Sequence, residues 1–217
     1  MTRGRVGVLI SGSGTNLQAL IDASREATFP AEIAVVVSDR SAALGLERAR
    51  LAGIPAVFHG ARSFAGDRDA YDAALAGLLH EHGVEWVALA GFLRLVGSAL
   101  LDAFPWRVLN IHPALLPSFP GLHAQEQALA AGVRITGATV HLVDRGCDTG
   151  PIVLQGAVPV LPGDDGPALS ARILRLEHQL YPRALRWAVE GRIQVVDGTV
   201  VVTPPPGEDL TLGVVAG

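Results

Sequence analysis

What this chain lacks narrows the possibilities first. Cysteine occurs once, at Cys147, which excludes an intrachain disulfide framework and any multi-cysteine zinc site. Positive charge is not in excess: the formal net charge of −4 leaves no basic footprint for nucleic acid. No apolar run is long or clean enough to span a bilayer, and Met1 to Gly4 leads straight into a strand-like run rather than a signal peptide. Internal repeats and an interdomain linker are missing as well. The expectation is a cytoplasmic protein without a nucleic-acid or membrane partner. What is present is a globular composition, 49% apolar and 18% charged, in 217 residues. That length buries a real core and most simply makes one domain. A small phosphorylated substrate stays possible, because a few local cations or a helix terminus can bind it.

Along the chain, apolar and helical periodicities alternate. Arg5 to Ile10, Ile33 to Val37, Ala56 to Phe58, Trp86 to Ala90 and Val108 to Ile111 read as short, β-branched, buried strands. Between them stand helical patterns: one from Leu17, Leu20 and Ile21, then Leu44 to Leu51, Asp69 to His80, and Val96 to Phe104. The order βαβαβαβαβ predicts a parallel, doubly wound, Rossmann-like α/β sheet with right-handed crossovers. After Leu122 come a short helix at Gln125 to Ala131 and strands at Thr136 to Val143 and Ile152 to Val158. These extend the sheet with an antiparallel edge. Leu169, Ile173, Leu176, Leu180 and Trp187 mark a long amphipathic helix near Pro167 to Val189, with a kink expected at Pro182. Asp197-Gly198 between β-branched runs signals a small C-terminal hairpin over Ile193 to Val202. Pro204 to Gly217 reads as a loosely packed tail.

Three stretches could carry chemistry. Ser11-Gly12-Ser13-Gly14-Thr15-Asn16 follows the first strand and opens a helix. It is neither G-x-G-x-x-G nor a Walker loop, which needs G-x-x-x-x-G-K-[ST]. Free amides at the helix start suit a phosphate monoester, although an ordinary strand-to-helix turn would look the same. Asn110 and His112 stand two apart at a strand end, so their side chains point to the same side. In open α/β sheets ligands collect there. An amide donor beside an imidazolium is what a developing oxyanion needs. In the loop Asp144 to Gly150, Asp148 is either a turn-forming residue or the carboxylate that orients and charges an imidazole.

The segments SGSGTNLQALIDA, LAGFLRLV, NIHPALLPSFPGLHA, TGATVHLVDRGCDTGPIVLQ and RLEHQLYP, in this order, resemble the phosphoribosylglycinamide formyltransferases. These are folate-dependent enzymes of purine synthesis in the formyltransferase superfamily. The resemblance runs to about Arg192 and implies the formyltransferase fold. It implies one domain over 1–203, with a ribonucleotide-binding half at 1–106, a catalytic and folate-binding half at 107–203, and a tail at 204–217. The family's Asn-His-Asp triad falls on Asn110, His112 and Asp148. Its phosphate loop falls on Gly14, Thr15 and Asn16, and its ribonucleotide segment on Arg175 and Glu177. Arg68, Leu93, Arg94, Leu95, Val96, Asn110, His141, Asp144 and Asp148 match the folate pocket. A cis bond at Leu116-Pro117 is part of the same resemblance. Two departures, Ala114 before Leu-Leu-Pro and Cys147 in the loop, touch none of these positions.

The implied reaction passes a formyl group from 10-formyltetrahydrofolate, as cosubstrate, to the amine of glycinamide ribonucleotide, without a metal. Asn110 and His112 would bind the oxyanion, and Asp148 would orient His112 and assist proton movement. A monomer or a homodimer is expected. A formyltetrahydrofolate hydrolase and a methionyl-tRNA formyltransferase are disfavoured, because each is expected to carry a further domain for which this sequence leaves no room. A non-catalytic nucleotide-binding domain of the same fold is the rival of another class, and it would be favoured by a broken triad.

Overall fold

The computed structural model describes residues 3–208 and 211–212. The chain divides into two units, Met1–Asn110 and Ile111–Gly217.

The first unit alternates strand and helix. In order it contains β1 (Gly4–Ile10), α1 (Thr15–Ser24), β2 (Ala31–Ser38), α2 (Leu44–Leu51) and β3 (Ala56–Phe58). A short 3₁₀ turn at Ala61–Phe64 follows, then α3 (Arg68–Glu81), β4 (Trp86–Leu89), α4 (Ser98–Ala103) and the start of β5 (Val108–His112). All pairings here are parallel, in the order β3-β2-β1-β4-β5. Consecutive residues Val8, Leu9 and Ile10, and likewise Val35, Val36 and Val37, are buried. Both faces of these strands are therefore covered, which is why their sequences do not alternate. Leu17, Leu20 and Ile21 put one face of α1 into the core.

In the second unit, β5 ends at His112 and α5 (Ala124–Ala130) leads to β6 (Ile135–Leu142) and β7 (Ile152–Pro159). These two strands are antiparallel, with a register shift at Val140/His141. Such a bulge re-aims the side chain beside it, and here that side chain is His141. Helix α6 (Gly166–Val189) is capped by Asp165, whose carboxylate accepts from Ala168 N at 2.8 Å. It runs as one helix through Pro182, burying Leu169, Ile173, Leu176, Leu180, Leu185 and Trp187. Each such side chain contributes about 1.5–3 kcal/mol of burial. The hairpin forms as expected, β8 (Ile193–Val196) and β9 (Thr199–Val202) joined by Asp197 and Gly198, both at positive φ.

The expectation of a loose tail needs correction. Glu208 accepts from Arg183 Nε at 3.0 Å and from Trp187 Nε1 at 3.1 Å, and it pairs with Arg186. The two-residue strand β10 (Thr211–Leu212) then pairs in parallel with β7. Residues 209–210 and 213–217 of that tail lie outside the described residues. No helix of the described residues is long and apolar enough to cross a membrane.

Candidate active site

In the first unit, β1 ends in the SGSGTN loop. Ser11 N donates to Gly91 O at 3.0 Å and Ser11 Oγ accepts from Leu93 N at 2.9 Å, which ties this loop to the LRLV segment. Gly14 occupies the left-handed region (φ 71°, ψ 34°) and opens α1 without a side-chain cap. A Cβ on Gly14 would meet Gly45 Cα at 2.7 Å. The first amides of a helix lack intrahelical acceptors and carry partial positive charge. Thr15 and Asn16 supply short polar side chains at this turn.

Further along the same unit, Arg94 lays its guanidinium 4.5 Å over the Tyr71 ring. Tyr71 OH donates to His59 O at 3.1 Å, and burial pushes the phenol up to about 12. Asp72 is buried and accepts from Gly97 N at 2.5 Å. Burial raises its pKa, against the Gly97 amide and the charges of Arg68 and Arg94. Leu93 and Leu95 are exposed, whereas the Val96 side chain is buried.

In the second unit a carboxylate sits between two imidazoles. Asp148, at φ 55°, brings Oδ2 to 3.4 Å from His112 Nδ1 and Oδ1 to 3.6 Å from His141 Nε2. Gly121 N donates to Asp148 Oδ2 at 2.8 Å. Burial pushes the Asp148 carboxyl up, but the His141 hydrogen bond, the Gly121 amide and the charges of both histidines outweigh it, leaving its pKa at about 2. His112 Nε2 meets Phe119 O at 2.8 Å. Both nitrogens of that ring thus face acceptors, and only the doubly protonated imidazolium can donate to both. Asn110 precedes His112 by two positions on β5, so the amide and the imidazole leave the strand on one side.

The loop that supplies Phe119 O and Gly121 N contains the cis bond Leu116-Pro117. It is held by Thr139, whose hydroxyl donates to Ala114 O at 2.7 Å and accepts from Leu116 N at 3.0 Å and Gln155 Nε2 at 2.9 Å. One donor and two acceptor positions are all used. Asp144 Oδ1 folds the neighbouring loop by accepting from Gly146 N at 3.0 Å and Thr149 Oγ1 at 2.8 Å. Among the described residues no three His, Cys, Asp or Glu side chains gather as a metal ion would require.

The formyl transferase family model matches residues 4–185. Phosphoribosylglycinamide formyltransferase of Escherichia coli K12 is 42% identical over 188 residues, covering 87% of this chain and 88% of that protein. Glycinamide ribonucleotide transformylase 1 from Symbiobacterium toebii, a crystal structure, is 54% identical with a TM-score of 0.90, over 92% of this chain and 94% of that one. The chain belongs to the phosphoribosylglycinamide formyltransferase family. The trifunctional purine biosynthetic protein adenosine-3 of Drosophila melanogaster is 46% identical over 204 residues, or 93% of this chain, and the chain spans only 14% of that longer protein's length.

Four of the residues that the resemblance assigns to ligands take distinct places in this formyltransferase. Arg175 and Glu177 do not share a face: Arg175 is exposed and Glu177 buried on α6. Residues two apart on a helix point about 200° apart, so the two side chains leave α6 in different directions. Val96 offers a ligand only backbone, because its side chain is turned inward. Asp144 spends one carboxylate oxygen on its own loop. Thr139 and Gln155 escaped sequence reasoning. Thr139 and Gln155 are polar residues in buried strand runs that stand opposite in register, and that interruption was their one signal.

Proposed function

We propose that this chain transfers a formyl group from 10-formyltetrahydrofolate to the amine of glycinamide ribonucleotide, as a metal-free cytoplasmic enzyme acting alone or as a homodimer. The first unit takes the ribonucleotide phosphate at Gly14, Thr15 and Asn16, and the second carries His112 and Asp148. The observation that carries the reading is the ionised Asp148 held between His112 and His141.

The amine attacks the formyl carbon, and negative charge develops on the formyl oxygen. Asn110 and the His112 imidazolium donate to that oxygen. The His112 Nε2 donor now meets Phe119 O; a developing oxyanion is a stronger acceptor than a peptide carbonyl and takes it over. The carbon–nitrogen bond to the folate then breaks, and the amine's proton passes to the departing folate nitrogen. A carboxylate with a pKa of about 2 is a weak base. This supports Asp148 as the group that charges and orients His112, with the proton moving through water rather than being held on the carboxylate.

The test is formyl transfer by purified protein given glycinamide ribonucleotide and 10-formyltetrahydrofolate. Formylated ribonucleotide formed in step with tetrahydrofolate is expected. Formate released without ribonucleotide would point to a hydrolase instead, and no turnover by folded protein to a binding domain.

A further inference from the structure

The SGSGTN loop is shaped from outside itself, by α2. Gly45 N donates to Gly12 O at 3.1 Å, and Arg48 Nε donates to Ser13 O at 2.8 Å. In a trans peptide the carbonyl and the following N–H point in opposite directions. Holding the Gly12 and Ser13 carbonyls toward α2 therefore turns the amides of Ser13 and Gly14 away from it. Gly14 then enters the left-handed region and opens α1, whose first turn holds no acidic residue. Successive amides in such a turn form an anion-binding concavity. The chain contains no lysine, so any side-chain ammonium is ruled out as a phosphate ligand. Arg48 also donates to Gln18 Oε1 at 3.2 Å, and Gln18 Nε2 to Asp22 Oδ1 at 2.9 Å.

We infer that Arg48 is a positioning residue for the ribonucleotide phosphate, orienting the Ser13-Gly14 peptide so that its amide faces the anion. This rests on the proposed formyl transfer and on the phosphate lying at this loop. Arg48 touches no reacting atom. Its loss weakens ribonucleotide binding and spares folate binding and the chemical step.

Arg48→Met keeps the aliphatic stem beside Gly14 and removes the donors. Steady-state kinetics with each substrate varied in turn should show KM for glycinamide ribonucleotide raised about tenfold, with folate KM and kcat within about twofold of wild type. Ribose 5-phosphate, as a competitive inhibitor, should weaken by the same factor. Arg48→Lys, which returns a donor within reach of Ser13 O, should recover most of the loss, and Gln18→Ala should change neither KM. Equal rises in both KM values, or no rise in either with the thermal midpoint unchanged, overturn the inference. If the wild type transfers no formyl group, calorimetric binding of ribose 5-phosphate to the wild type and Arg48→Met still reads the role of Arg48. That separates failure of the inference from failure of the functional reading.

Discussion

Replacing Thr139 with valine asks what holds the loop that surrounds His112 and Asp148. The Thr139 hydroxyl is fully buried and serves Ala114 O, Leu116 N and Gln155 Nε2. Gln155 keeps a second partner in Leu116 O at 2.9 Å, so valine strands chiefly Ala114 O and Leu116 N. Valine has nearly the same shape as threonine, and the cavity contribution is therefore small. Each stranded buried group costs about 1–3 kcal/mol, which gives a destabilisation of about 2–6 kcal/mol. For a chain of this size each kcal/mol lowers the midpoint by about 2–4 °C, so differential scanning calorimetry should record a fall of about 4–24 °C. Turnover, read well below that midpoint, should fall about tenfold or more, because Phe119 O and Gly121 N lose their fixed positions. Thr139→Ser keeps the hydroxyl and gives up one methyl, about 1 kcal/mol, and should restore turnover. A valine variant that melts within about 2 °C of wild type and turns over normally would refute the reasoning.

Three further outcomes are expected. His112→Ala and Asp148→Asn should each lose about a hundredfold or more in kcat while circular dichroism shows the protein still folded; normal turnover in either removes that residue from the mechanism. The Asp148 carboxyl lies below its ordinary value, so its stabilising contribution is complete above about pH 4 and is lost as pH falls toward the folded pKa of about 2. His141→Asn removes the hydrogen bond that opposes burial, so carbon-13 titration of Asp148 should show its pKa raised and the acid-stable window shortened from below; an unmoved value contradicts the clamp. Glu208→Ala strands Trp187 Nε1, which belongs to a fully buried side chain, and removes the ion pairs that Glu208 makes with Arg183 and Arg186. Chemical denaturation should show a loss of about 1–3 kcal/mol, and an unchanged midpoint would mean that the tail does not brace α6.

The alternation of strands and helices was legible because both faces of a parallel strand demand apolar residues, so each strand in the first unit reads as a short β-branched run. The pair Asn110 and His112 was legible from period alone. Arg175 and Glu177 could also have been separated from period: an i, i+2 pair never shares a helix face, and the motif's neighbourhood in sequence hid that. Other features leave no local trace. Glu208 meets Arg183, Arg186 and Trp187 across more than twenty residues, and a proline- and glycine-bearing tail gives no sign of such a partner. The bulge at Val140/His141 likewise depends on two strands at once, so the turn of His141 toward Asp148 cannot be read from β6 by itself.

Gly14 shows why a glycine in a motif is weak testimony about a ligand. In the sequence Gly14 stands in a loop whose free amides suit a phosphate, and replacing it with valine is the natural test. In the folded chain a Cβ at this position meets Gly45 Cα at 2.7 Å, and φ is 71°, which β-branched residues avoid. Gly45 is constrained less, since a Cβ there meets the end of the Ile10 side chain and lies 3.3 Å from Gly14 Cα, without a positive φ. The close approach of α1 and α2 therefore requires glycine at Gly14, and favours it at Gly45, before any ligand arrives. Valine at Gly14 would spread the two helices, and the resulting loss of ribonucleotide binding would follow from the fold alone. The discriminating substitutions lie in side chains that leave this glycine pair intact, and Arg48, which fixes the loop through a carbonyl oxygen, is the one that separates anion binding from helix packing.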